Sequence, residues 1–131
     1  MSHLDRINPA ALARPSGFSH AVVGAGKIVF LAGQTAMDVD GRIVGRGVVA
    51  QFERALANLL TALRAAGGEP DQLASVTIFI VDLPDYRAHV REIGEVWQRL
   101  VGSTYPAMAG IGISCLWDAD ALVELQGFAI V

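Results

Sequence analysis

The feature that most restricts the fold of this chain is a run of β-branched and apolar residues at 75–81, SVTIFIV. Its side chains are apolar on both faces, which is typical of a strand that lies inside a sheet and is covered on each side. Segments with a helical spacing of apolar residues precede and follow this run. The run therefore predicts a central strand in a protein that combines helices with a sheet.

Amphipathic helices are predicted on either side of this strand. From Val49 onward the apolar residues recur with a period of about 3.6, and Gly67 and Gly68, followed by Pro70, are expected to end the first helix. Asp82 is the predicted N-cap of the second helix. Each helix presents one apolar face to the core. The residues of these faces are Phe52, Leu56, Leu59, Leu60 and Leu63 in the first helix and Tyr86, Val90, Ile93, Trp97 and Leu100 in the second.

The remaining strands are predicted towards the two ends of the chain. Residues 18–34 alternate apolar and polar side chains around the glycines of 24–26, which is the pattern of a hairpin of two strands. Further strands are predicted at 107–116 and 122–131. The order of strands, helix, strand, helix and strands predicts one α+β domain over residues 1–131, with both helices on one face of a mixed sheet.

The composition indicates association between copies of the chain. Hydrophobic residues make up 53% and charged residues 18% of the 131 residues, against roughly 45–50% and about 25% in ordinary soluble domains. A small domain with so few charged side chains cannot cover its own surface with polar groups, so apolar surface is expected to be buried between copies. A homo-oligomer is therefore predicted.

Charge and local sequence argue against several classes of function. The formal charge is −3 and the Lys and Arg residues are scattered singly, which argues against nucleic acid as the main partner. No apolar stretch approaches the roughly 18 residues that span a bilayer, and no leader is recognised, so a cytoplasmic protein without a membrane partner is expected. His3, His20 and His89 lack metal-ligand spacing, and no metal site is predicted. The single cysteine, Cys115, is interpreted as a small buried hydrophobe, with a reactive thiol as the alternative.

The last two predicted strands contain the residues best suited to chemistry. Glycines inside the strand at 107–116, Gly110 and Gly112, mark a close approach of a neighbouring subunit or of a ligand, and the pattern does not choose between these. Glu124 stands among apolar residues in the last strand, where a half-buried carboxylate can act as a general acid or base. A structural ion pair or an exposed sheet edge is the alternative interpretation of Glu124.

The order of these segments resembles the RidA/YjgF/YER057c/UK114 family, and the resemblance spans nearly the whole chain. Each motif is short, but together they follow the family's order and spacing. The motifs are PSGFSHAV at 15–22, similar to the family's Gly-Pro-Tyr-Ser-Gln-Ala-Val loop, AGQ at 32–34, similar to its Ser-Gly-Gln, the first helix at 51–58, VTIF at 76–79, DLPDY at 82–86, PA at 106–107 and LVEL at 122–125.

The resemblance implies a chorismate-mutase-like fold, with a mixed six-stranded sheet, two helices on one face and a homotrimer around a central β-barrel. In such a trimer, small-molecule ligands bind in clefts between neighbouring subunits. Family members with deaminase activity hydrolyse imines and enamines to 2-oxo acids and ammonia without a cofactor. An arginine binds the substrate carboxylate and a glutamate positions the water. The resemblance places the catalytic glutamate at Glu124 and the substrate-binding positions at Phe18, Ala32, Gly33, Val90, Met108, Ala109 and Gly110.

The chain departs from the family pattern at the arginine, whose position is occupied by Met108. Methionine has no donor with which to bind a carboxylate, so typical deamination of carboxylated imines is expected to be lost. Phe18 stands in place of tyrosine, and Ala32, Val90 and Gly110 replace serine, asparagine and cysteine, which predicts an apolar and roomier cleft. The cations considered as substitutes for the arginine are His20, Arg14, Arg87 and Arg91.

Several functions follow from this resemblance. The first is hydrolysis of imine-like or enamine-like metabolites in an atypical apolar cleft, with water held by Glu124. The alternative is a trimer that binds a small ligand without catalysis, as a sensor or scavenger, or that serves only as a scaffold. The third is RNA cleavage or inhibition of translation, which the acidic charge opposes.

Overall fold

A four-stranded mixed sheet forms the centre of the computed structural model, which describes residues 3–131. The strands lie in the order β3 (Ile28–Gln34), β6 (Val123–Ile130), β4 (Leu73–Ile80) and β5 (Ala107–Gly112). β6 is antiparallel to both of its neighbours, whereas β4 and β5 are parallel. The apolar run in β4 is thus an interior strand, as predicted.

The strand before β3 belongs to a different sheet. β2 (Ala21–Val23) pairs with β1 (Asp5–Ile7) in a two-stranded antiparallel sheet. The predicted hairpin over 18–34 is therefore wrong, and the six expected strands are divided into sheets of two and four. The physical reason is at the start of β3, where Lys27 and Val131 exchange backbone N–H···O hydrogen bonds of 2.8 Å, which directs the chain onto β6. Alternation of apolar and polar side chains indicates a strand but does not choose its partner.

The first helix, α1 (Gly47–Ala65), packs on β3 and β6. It ends as predicted, because Gly67 adopts φ +89°, its N–H donates to the Arg64 carbonyl at 3.0 Å, and the Gly68 N–H donates to the Leu63 carbonyl at 3.0 Å. A turn of 3-10 helix at Pro70–Gln72 leads into β4. The predicted apolar face of α1 is buried in full, namely Phe52, Leu56, Leu59, Leu60 and Leu63.

The second predicted helix is interrupted at His89, which separates α2 (Leu83–Ala88) from α3 (Val90–Leu100). Asp82 caps α2 as predicted, with its carboxylate accepting the Asp85 N–H at 3.1 Å. The His89 ring Nδ1 lies 2.8 Å from the Asp85 carbonyl, the acceptor that a continuous helix would reserve for the His89 N–H. That N–H bonds the Tyr86 carbonyl instead, at 3.0 Å. The His89 side chain thus competes with the helix backbone for the Asp85 carbonyl, and the helix is interrupted there.

The C-terminal strands are shorter than predicted. β5 ends at Gly112 instead of 116, and β6 covers Val123–Ile130 instead of 122–131. The chain leaves the sheet at Ile113, whose N–H donates to the Ile80 carbonyl at 2.9 Å. Cys115 follows in the exposed connection, so its interpretation as a buried hydrophobe is wrong.

The helices leave the opposite face of the sheet uncovered. The helix side buries Val76, Ile78 and Leu125. On the other side, Phe30 is 75% and Phe128 is 42% exposed, with their ring centroids 5.3 Å apart. Within residues 3–131, no helix is both long and apolar enough to cross a membrane.

Candidate functional site

A cavity of about 280 Å³ lies on the helix side of the sheet, between α1, α2, α3 and the first residues of β5. Its floor consists of side chains that belong to the hydrophobic core, Phe52, Ile78, Ile93 and Trp97. Its mouth lies between the exposed residues Ser16 and Gly17 and the side chain of Val90, which is 58% exposed. The cavity thus runs from the surface down to the core.

Met108 lines this cavity at the position where the family pattern has arginine. No side chain with a formal charge is among the cavity's lining residues within the described chain. Of the cations considered as substitutes, Arg91 pairs with Glu95 at 3.7 Å and the His20 ring lies 2.7 Å from the Ala13 carbonyl. Arg14 and Arg87 do not line the cavity either. Within one chain, the structure therefore brings no cation to the place of the lost arginine.

Glu124 lies in β6, between β3 and β4, with its side chain half-buried against Gly33. A Cβ atom built on Gly33 would be 2.3 Å from Glu124 Oε2 and 2.8 Å from Cδ, so only glycine leaves room for this carboxylate. The side chain of Glu124 makes no hydrogen bond or ion pair with any of residues 3–131. The interpretation of Glu124 as an exposed sheet edge is wrong, since β6 is an interior strand, and residues 3–131 provide no ion-pair partner for it.

The register of the sheet puts Met108 and Glu124 on opposite faces. Met108 is paired with Val76, on the helix side, whereas Glu124 is paired with Phe79, on the uncovered side. Directly paired residues share a face and successive residues alternate between faces. One chain by itself therefore does not bring the predicted catalytic carboxylate and the cavity together.

The other predicted site residues are also divided between the cavity side of the sheet and other parts of the chain. Val90 lines the cavity, and Gly110 lies on the same face of β5 as Met108. Ala109 faces the uncovered side with Gly33, while Ala32 is exposed in β3 where the register shifts. Phe18 does not line the cavity but makes an edge-on contact with the His20 ring, with 5.1 Å between centroids.

The glycines of β5 have room around them within one chain. A Cβ atom on Gly110 would be 3.8 Å from Ile80 Cδ1, and one on Gly112 would be 3.6 Å from Leu83 Cδ2. Both are ordinary van der Waals distances, so no backbone or side chain of the same chain requires glycine there. The close approach of a neighbouring subunit or of a ligand stays a prediction for these positions.

Three residues that line the cavity were not predicted as site residues, namely Tyr86, Gly94 and Tyr105. Tyr86 was assigned only to the apolar face of the second helix. Burial raises the pKa of the Tyr86 hydroxyl from 10.0 to about 12. Gly94 was the available signal, because glycine inside a helix costs roughly 1 kcal/mol and usually has a packing or functional reason. It lies four residues after Val90 and three before Trp97, on the face that lines the cavity.

Known proteins match the chain along nearly its full length. The family model described as Endoribonuclease L-PSP matches residues 8–131. The RutC family protein UK114 of Drosophila melanogaster is 31% identical over 95% of this chain and 87% of its own length. The 2-iminobutanoate/2-iminopropanoate deaminase of Capra hircus is 28% identical over 93% and 83%.

A solved structure has the same fold. It is that of YyfB from Yersinia pestis, described as a protein of unknown function of the conserved Rid family. It superimposes with a TM-score of 0.89 at 30% identity and covers 99% of this chain and 100% of its own. The α+β fold predicted from the order of the motifs is confirmed. The matches to family, relatives and structure lead to one conclusion, that this chain is a member of the Rid family, also known as the RidA/YjgF/UK114 family.

Proposed function

We propose that this Rid-family protein binds a small uncharged metabolite in clefts formed between copies of the chain and hydrolyses an imine bond there, with Glu124 positioning the water. The reaction consumes one imine and one water molecule and yields the corresponding carbonyl compound and one ammonia. Water adds to the imine carbon, and the resulting carbinolamine then expels ammonia as its carbon–nitrogen bond breaks. No cofactor is needed, because the carboxylate can take a proton from the water and return it to the nitrogen.

The unpartnered carboxylate of Glu124 is the observation that supports this proposal most directly. A half-buried carboxylate in the interior strand of a sheet is normally hydrogen-bonded or paired with a cation. Glu124 has neither within residues 3–131, and Gly33 leaves space for it. A carboxylate held in place but not satisfied by its own chain is available to orient a water molecule and act as a general base.

The separation of Met108 and Glu124 by the sheet supports a site shared between copies. A site that joins the cavity to a Glu124 carboxylate would need Glu124 from a second copy, because one chain holds Met108 and Glu124 on opposite faces of the sheet. The uncovered face has exposed aromatic side chains at Phe30 and Phe128, and such apolar surface favours burial against another copy. The homotrimer that the family resemblance implies would bury this face.

The absence of a charged side chain in the cavity lining supports an uncharged substrate. A carboxylate bound beside Met108 would lose its hydration without gaining a cation or a fixed donor in exchange. The relatives named as 2-iminobutanoate/2-iminopropanoate deaminases act on carboxylated imines by name. We therefore place this protein's substrates among neutral imines, such as those that arise from amines.

The test is the decay of imines generated in the presence and absence of the protein. An amino-acid oxidase supplies carboxylated imines and an amine oxidase supplies neutral ones. We expect faster decay of neutral imines and a decrease of roughly 100-fold or more in the Glu124→Gln variant, the range that general-base catalysis contributes. Asp40→Asn is the matched control, since it removes one exposed carboxylate that lies outside the proposed cleft.

The outcomes separate the candidate functions. Acceleration that survives Glu124→Gln contradicts the role of Glu124, and acceleration of carboxylated imines alone contradicts the neutral substrate class. Saturable binding of a ligand without any turnover supports the second candidate, a binding protein, which the uncharged cavity favours equally. RNA cleavage that is lost on mutation of a cavity residue would instead support the activity for which the family model is named.

A further inference from the structure

The proposed hydrolysis uses none of the polar side chains that line the cavity, which are those of Ser16, Trp97, Tyr105 and Tyr86. One of them is the half-buried Tyr86. Its ring packs edge-on against Phe52, with 6.3 Å between centroids, and it lines the cavity from α2. The hydroxyl has no hydrogen-bond partner among residues 3–131. The high pKa that burial gives this phenol, about 12, keeps the proton on the oxygen at physiological pH, so the hydroxyl is a permanent donor.

The other polar groups of the buried wall are already satisfied. The indole Nε1–H of Trp97 donates to the Thr104 carbonyl at 3.3 Å. The Tyr105 hydroxyl accepts from the Gln98 amide. Within the described chain, Arg6 Nε is the only fully occluded side-chain nitrogen or oxygen without a partner, so the Tyr86 oxygen is not fully occluded, and Tyr86 is among the residues that line the cavity. Among residues 3–131, Tyr86 is thus the polar side chain of the buried wall that makes no hydrogen bond.

The size and lining of the cavity restrict what can accept that hydrogen bond. An apolar cavity of about 150 Å³ holds a benzene molecule, and this one is about 280 Å³. It therefore has room for one six-membered ring or branched aliphatic group and a polar substituent. The lining, with Met108, Ile93 and Trp97, provides no charged partner for an ionised substituent.

We propose that the cavity binds the apolar end of a neutral carbonyl or imine compound whose oxygen or nitrogen accepts a hydrogen bond from the Tyr86 hydroxyl. The apolar end occupies the space between Ile93, Gly94 and Trp97. This inference rests on the proposed function for the idea that the ligand enters this cavity, and it adds the ligand class and the residue that selects it.

Binding can be measured without turnover, using the buried tryptophan of the cavity. The chain has two tryptophans, and Trp117 is 96% exposed, so Trp117→Phe leaves Trp97 as the only tryptophan signal. In this background, cyclohexanone is titrated as a neutral carbonyl probe and cyclohexanecarboxylate as its ionised counterpart. We expect saturable changes in Trp97 fluorescence with cyclohexanone and an affinity at least tenfold lower for the carboxylate, which loses hydration on entry.

Variants then locate the probe. Tyr86→Phe removes only the hydroxyl and should weaken cyclohexanone binding roughly two- to tenfold, the net effect of one neutral hydrogen bond. Thr61→Val, which removes an exposed hydroxyl bonded within α1, is the matched control. Gly94→Leu has open space for its side chain and should block binding, whereas Ala65→Leu adds a leucine side chain at an exposed position of α1 outside the cavity lining.

Each outcome decides for or against the inference. No saturable signal with cyclohexanone, equal affinity for the carboxylate, or an unchanged affinity in either Tyr86→Phe or Gly94→Leu overturns it. Tyr86-dependent binding in a protein that hydrolyses no imine refutes the proposed hydrolysis and leaves this inference standing. Hydrolysis of neutral imines that is insensitive to Tyr86→Phe, with no change in cyclohexanone affinity, refutes this inference alone.

Discussion

Gly33 offers a direct way to move the Glu124 carboxylate without removing it. In Gly33→Ala the added methyl carbon would lie 2.3 Å from Oε2, 2.8 Å from Cδ and 3.2 Å from Cγ of Glu124. Non-bonded heavy atoms pack at about 3.5 Å, so the carboxylate has to move by roughly 1 Å. The backbone tolerates alanine, because Gly33 is not among the glycines with positive φ.

The expected effects on activity and on stability differ in size. A catalytic group displaced by roughly 1 Å can lower the rate about 100-fold. The displaced atoms are the end of a flexible, half-buried side chain, so we expect the free energy of unfolding to fall by no more than about 1.5 kcal/mol, the cost of an unfavourable rotamer. The Gly33→Ala variant therefore tests the position of the Glu124 carboxylate with little effect on the stability of the fold.

The assay combines imine decay with chemical denaturation, and Gly127→Ala is the contrasting variant. A Cβ atom on Gly127 would lie 2.7 Å from the backbone carbonyl oxygen of Ser75 on the adjacent strand, which cannot move aside as a side chain can. We expect the free energy of unfolding of this overpacked variant to fall by about 1–3 kcal/mol. A Gly33→Ala variant with full activity refutes the assigned geometry of Glu124. If Gly33→Ala loses as much stability as Gly127→Ala, the premise that the Glu124 carboxylate can move aside is refuted.

Further predictions concern the lost cation, the uncovered face and the helix junction. Met108→Arg should restore a carboxylate-binding group and raise the decay rate of carboxylated imines at least tenfold; no gain would mean that the cavity is not the substrate site. Phe30→Asp should reduce the molar mass seen by light scattering, whereas an unchanged mass would show that the exposed aromatic face is not the interface. Asp82→Ala should lower the free energy of unfolding by about 1 kcal/mol through loss of the N-cap, and equal stability in urea titrations would contradict that role. The hydrogen bond from the ring to the Asp85 carbonyl raises the pKa of His89, so protonated His89 stabilises the fold below about pH 6.5 and this contribution is lost as pH rises through the folded pKa. His89→Gln should remove that pH dependence from urea midpoints, and its persistence would assign it to another group.

The helices show how far local sequence could predict the fold. The apolar face of α1, its glycine end and the Asp82 cap were predicted because each depends on residues within a few positions of one another. The break at His89 was missed because it depends on a side chain competing for the Asp85 carbonyl, a choice that helical periodicity does not describe. The partner of β2 was missed because strand pairing is a long-range choice.

Of the residues that line the cavity, the motifs pointed to Met108 and Val90, but they did not predict how the cavity is arranged. The loss of the arginine at Met108 and the carboxylate at Glu124 were visible in the motifs. The sheet places these two residues on opposite faces because of the register between β4, β5 and β6, and that register depends on all three strands together. The hydroxyl of Tyr86 was not predicted as a binding group because an aromatic residue at helical spacing predicts core packing. Only the structure shows that Tyr86 lines a cavity and that its hydroxyl has no hydrogen-bond partner within residues 3–131.

What the sequence alone determined is what short-range physics determines: the apolar face and the C-terminal end of the first helix, the interior strand, and the replacement of the family's arginine by Met108. Tertiary structure decided which strands pair, that Cys115 is exposed, that the Glu124 carboxylate lies against Gly33 without a partner within residues 3–131, and that a cavity reaches the core below Val90. The reason is physical. Backbone propensity and capping act between neighbours in the chain, whereas burial, pairing and unsatisfied polar groups depend on atoms that only the fold brings together.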